Sequence, residues 1–69
     1  MAQPFIPPKT AQLIRSLGIT ESRILDVYDT GIKREGQNKI YKKYPSNTIQ
    51  VTYAVADSGE NIITWVSKW

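Results

Sequence analysis

Thr48-Ile49-Gln50-Val51-Thr52-Tyr53-Ala54-Val55-Ala56 is the stretch on which the fold turns. Ile49, Val51, Tyr53 and Val55 alternate with Thr48, Gln50, Thr52 and Ala54, the period of two of a half-buried strand. Asp57-Ser58-Gly59-Glu60 follows as a hairpin loop. Asn61 to Trp69 then reads as a last strand, rich in β-formers on both faces (Ile62, Ile63, Thr64, Trp65, Val66). Upstream, Pro45-Ser46-Asn47 marks a turn. Before it, Lys39 to Tyr44 alternates Ile40, Lys42 and Tyr44 on one face with Lys39, Tyr41 and Lys43 on the other. Gly36-Gln37-Asn38 separates this strand from a shorter candidate at Ile32 to Glu35. Four strands joined by short turns predict an antiparallel meander over residues 32–69.

The period changes upstream of Gly31. Ile24, Leu25, Val27 and Tyr28 recur at helical spacing. Thr20 is a good N-cap, Glu21 suits the helix dipole, and Ile19 with Ile24 forms a hydrophobic staple. Arg23 stands where a full capping box needs Glu or Gln. The predicted helix covers residues 21–30. Leu13, Ile14 and Leu17 predict an earlier helix over about 8–17, opened by Pro8 and closed by Gly18. Residues 9–30 thus make a helical hairpin, and residues 1–8, with three of the four prolines, make an extended arm. The expected fold is one α+β domain, with two N-terminal helices packed on one face of a four-stranded antiparallel sheet.

The chain has 69 residues, no His and no Cys, with formal net charge +3. Without His or Cys, the usual structural zinc sites, His-based triads, thiol nucleophiles and disulfide frameworks are excluded. No metal or other cofactor is expected. No apolar run approaches the ~20 residues of a membrane span, and residues 1–8 lack the pattern of a secretory signal. A cytoplasmic location is expected. So short a chain is marginal on its own. Its seven aromatics point either to an aromatic core or to a homodimer or protein partner.

Gly18-Ile19-Thr20, the helix from Glu21 to Thr30 ending in Gly31, Val51-Thr52-Tyr53 and Ile62-Ile63-Thr64-Trp65 resemble the small DUF4258 type, which is similar in fold to the RelE/ParE toxin superfamily. The resemblance covers roughly residues 10–69. It implies a helical hairpin on an antiparallel sheet, and either an mRNA-cleaving toxin, with a protein antidote, or a relative that kept the fold without the activity. DUF4258-type chains often carry a His early in the first helix, followed by Arg. This chain has Arg15 and no His, so a His-dependent role does not transfer.

Residues 33–44 hold five bases and one acid, and the rest of the chain holds four bases and five acids. The positive charge is therefore concentrated in one ribbon. Lys33, Arg34, Lys39, Tyr41, Lys42, Lys43 and Tyr44 are the candidate nucleic-acid-binding residues, with RNA expected over DNA. Lys and Arg neutralise phosphates, and Tyr rings offer faces for bases. Lysines also protect sheet edges from pairing, which is the alternative for Lys39 and Lys43. Trp65 and Trp69 are candidate partner-binding anchors. The place of Trp65 in an apolar run favours instead a core position on the helix side. Residues 20–30 could also be the recognition helix of a helix-turn-helix, though Glu21, Asp26 and Asp29 oppose phosphate; an ordinary helical hairpin explains the same turn. No catalytic set is assigned. If a reaction exists, it would be metal-independent RNA cleavage, with Arg34 and Lys42 on the phosphate and Tyr44 positioning the 2′-hydroxyl.

Overall fold

The computed structural model describes residues 3–69; the first two residues of the arm lie outside the described part. Helix α1 spans Pro8–Ser16 and α2 spans Glu21–Thr30. Four strands follow: β1 Ile32–Lys33, β2 Lys39–Lys43, β3 Thr48–Val55 and β4 Asn61–Lys68. They form one antiparallel sheet in the order β1-β2-β3-β4. The α+β meander with helices preceding strands is thus the observed fold.

Local chemistry sets the helix ends. The Thr20 side chain accepts from the Arg23 backbone N–H at 3.2 Å, as an N-cap should. Gly18 takes φ +73°, and the Ile19 N–H reaches back to the Ile14 carbonyl at 3.1 Å. That reverses the chain after α1 and satisfies an end carbonyl. Gly31 closes α2 for another reason. Its φ of −74° is ordinary, but a Cβ there would sit 2.4 Å from the Val27 oxygen and 2.7 Å from the Tyr41 oxygen. The first oxygen belongs to the last turn of α2 itself and the second to β2, and only glycine fits between them.

Both helices cover one face of the sheet, α1 over β4 and α2 over β2 and β3. The core between the layers is Ile14, Ile19, Ile24, Val27, Ile40, Ile49, Val51, Ile63 and Val66. It is therefore built from β-branched aliphatic side chains, not from the seven aromatics. Tyr28, Tyr44 and Tyr53 flank it, with Tyr28 and Tyr53 meeting edge-on at 5.9 Å. Thr10 is the one buried polar residue among those described, and its hydroxyl donates to the Ile63 carbonyl at 2.7 Å.

The arm is extended and does more than trail along the surface. Phe5 pairs in parallel with Ile62, its N–H donating to the Asn61 carbonyl and its carbonyl accepting from the Ile63 N–H, both at 2.9 Å. Ile6 packs on the core. The arm and Thr10 together occupy the outer edge of β4 at residues 61–63, so these positions offer little to another strand.

One irregularity matters for the site. Between Thr52 and Tyr53 of β3 the register with β4 shifts, because Thr52 faces Trp65 while Tyr53 faces Ile63. Thr64 is the extra residue, a β-bulge. The bulge lets both Ile63 and Val66 point into the core although they are three residues apart. It also turns Trp65 away from the helices.

Candidate nucleic-acid interface

The pairing register settles which side chains share a face. Ile40, Ile49, Val51 and Ile63 point to the helices, so their strand neighbours point the opposite way. On β2 these outward residues are Lys39, Tyr41 and Lys43. On β3 they are Thr48, Gln50 and Thr52. Past the bulge on β4 they are Trp65 and Ser67, with Trp69 held beside Thr48 by two backbone hydrogen bonds of 2.7 and 3.0 Å. This face has no helix over it. Trp65 is 56% exposed and Trp69 60%. The expectation that Trp65 packs under the helices is corrected, and the Thr64 bulge is the reason. Trp69 shares its face, as the parity predicts, but that face is the open one.

The basic ribbon is split by the same rule. Lys39, Tyr41 and Lys43 stand on the open face with Arg34. The Arg34 guanidinium lies 4.6 Å from the Tyr41 ring centroid, and its Nε donates to Gln50 Oε1 at 2.6 Å. The ring contact and this bond hold a cation on the open face. Lys33, opposite Ile40 on the edge strand β1, is exposed and belongs to the other parity.

Lys42 and Tyr44 follow Ile40 onto the helix side, where α2 engages them. Lys42 Nζ donates to Asp26 Oδ2 at 2.8 Å and to Thr30 Oγ1 at 2.7 Å. The Tyr44 hydroxyl donates to the same Asp26 oxygen at 2.6 Å. Arg23 lies over the Tyr44 ring at 4.2 Å from its centroid. Hydrogen bonds from Lys42 and Tyr44 hold the Asp26 carboxyl below its ordinary 3.8. Burial first, then the bond to Asp26 and that carboxylate's charge, push the Tyr44 hydroxyl up to about 12. These groups clamp α2 to β2. The sheet thus puts Arg34 on the face opposite Lys42 and Tyr44, so the three do not converge on one phosphate, and the arrangement named for them in case a reaction exists is not formed.

The structure therefore joins residues that sequence reading kept apart. Arg34, Lys39, Tyr41 and Lys43 from the ribbon and Trp65 and Trp69 from the last strand share one surface. Gln50 was missed, although its place among the polar alternates Thr48, Gln50 and Thr52 was a usable signal. No acidic residue occurs within β2, β3 or β4. Acids gather elsewhere: a cleft of about 330 Å³ between the arm and α2 is lined by Asp26 and Asp29. The outward side of α2 carries Glu21 and Asp29 beside Arg23, with no excess of positive charge.

Among the described residues there is no group of three or more His, Cys, Asp or Glu placed to hold a metal ion. No described helix is long and apolar enough to cross a membrane. No protein-family model, no curated protein and no solved structure matches this chain.

Proposed function

We propose that the protein is a small nucleic-acid-binding domain that acts without a metal and uses the open face of its sheet. The observation that carries this reading is the convergence of Arg34, Lys39 and Lys43 with Tyr41, Trp65 and Trp69 on one helix-free surface. Cations there neutralise phosphates, and exposed rings supply apolar area for bases. RNA is favoured over DNA by the resemblance to RelE-like toxins. A cytoplasmic location suits such a ligand. Lys42 and Tyr44 support the surface from behind by fixing β2 to α2, and do not touch the ligand.

A second reading rests on the same exposed rings: a dimer, or a protein partner, formed through this face without catalysis. A self-complementary dimer would set Arg34, Lys39 and Lys43 of two copies against each other, which disfavours it. The test is anisotropy of a labelled RNA strand with two charge-matched variants. Lys39→Glu with Lys43→Glu reverses charge on the open face. Lys9→Glu with Arg15→Glu makes the same change on α1. The first pair should abolish binding and the second should leave most of it. Equal losses would reduce the effect to net charge, and sedimentation of the free chain as a dimer would favour the second reading.

A further inference from the structure

We infer that the open face is a platform for unpaired bases, with cations in one row and tryptophans in a second row. This deepens the reading just given and depends on it. The register aligns two rungs across the sheet. Lys39 pairs with Thr52, which pairs with Trp65. Lys43 pairs with Thr48, which is bonded to Trp69. The two lysines lie four residues apart on β2, and so do the tryptophans, Trp65 within β4 and Trp69 just past its end. Each row therefore spans ~13 Å, and the rows stand ~10 Å apart across β3.

A strand of nucleic acid lying along β3 would meet phosphate partners on one side and flat rings on the other. Between the rungs, the Arg34 guanidinium over Tyr41 presents a further planar group, and such planes also stack with bases. The spacing selects the ligand. In a duplex, successive bases on a strand are ~3.4 Å apart and cover each other's faces. Rings ~13 Å apart reach base faces only where bases are splayed from their neighbours. Stacking of this kind tolerates any base, so the site reads strand state more than sequence. Trp65 and Trp69 share this face by parity, and the Thr64 bulge lies before both, resetting the alternation after Ile63.

The chain supplies its own probe, because Trp65 and Trp69 are its only tryptophans. The experiment follows tryptophan emission and probe anisotropy together, with a labelled oligouridine and an RNA duplex of equal length. The strand should bind, quench the emission, and bind roughly tenfold or more tighter than the duplex. Trp65→Leu and Trp69→Leu should each weaken strand binding roughly 5- to 150-fold, with unchanged far-UV circular dichroism. Binding of the strand without quenching, or equal affinity for the duplex, overturns the platform and leaves the nucleic-acid reading standing. No anisotropy change with either probe overturns both.

Discussion

Replacing Gly31 by Ala tests how closely the helix layer sits on the sheet. The new Cβ would lie 2.4 Å from the Val27 oxygen, 2.7 Å from the Tyr41 oxygen and 2.7 Å from Ile40 Cγ2. Non-bonded heavy atoms rest comfortably only near ~3.5 Å, so both backbone oxygens are roughly 1 Å too near. Neither oxygen can swing aside as a side chain could. The turn after α2 must shift against both the last turn of its own helix and β2, which disturbs Val27 and Ile40 in the core. Overpacking costs about 1–3 kcal/mol, and the backbone contacts put this site at the upper end. The residue's φ of −74° suits alanine, so a stiffer unfolded chain returns roughly 0.4–1 kcal/mol. The net expectation is a loss of about 2–3 kcal/mol, or roughly 8–24 °C in Tm for a domain of this size. Urea unfolding followed by far-UV circular dichroism measures it. Gly59→Ala is the contrast: its Cβ meets nothing within 4 Å, and only φ +88° is unfavourable, for about 1–2 kcal/mol. A Gly31→Ala protein within about 0.5 kcal/mol of the parent would refute the packing argument.

Four other outcomes are expected. With three cations on the face, strand affinity should fall with salt at a log–log slope of about −2, and Lys43→Ala alone should bring the slope to about −1.4. Tyr44 has a raised folded pKa, so its contribution to stability is intact below pH 10 and is lost as pH climbs toward 12; ultraviolet titration should show a late step that Tyr44→Phe removes. Asp26 is shifted the other way, so its contribution holds above pH 3.8 and fades as pH drops below it; acid titration by NMR should show its pKa rising toward 3.8 in Lys42→Ala. Thr10→Val leaves the buried Ile63 carbonyl without the hydroxyl it accepts from, which should cost about 1–3 kcal/mol in urea unfolding.

The elements were largely legible in the sequence because their signals are local. Thr20, the Ile19–Ile24 staple and Gly31 mark α2 as residues 21–30, which is its observed span. The alternation of residues 48–56 is one residue longer than β3. What failed was non-local. Trp65 reads as a core residue if parity is counted from Ile63, and only the partner strand's register reveals the extra residue at Thr64. Deleting Thr64 should therefore keep Ile63 and Val66 inside and Trp65 outside, since strict alternation would then hold; an unchanged tryptophan emission maximum would report it. Lys42 and Tyr44 carried a usable warning, for they share parity with apolar Ile40 and follow it under α2. The pairing of Phe5 with Ile62 gave no local warning, because prolines on both sides of the dipeptide Phe5-Ile6 mask strand character and the contact spans almost the whole chain.

Ligand binding on the open face is to be read at Trp65 and Trp69 themselves. A ¹H–¹⁵N spectrum of the labelled protein, recorded while a single-stranded oligouridine is added, tests it most directly. Two indole N–H signals are expected, one for each tryptophan. Both should move together, along with amides of β2 to β4, while the amides of α1 and α2 stay in place. Shifts centred on the helices, with both indole signals unmoved at saturation, would contradict it.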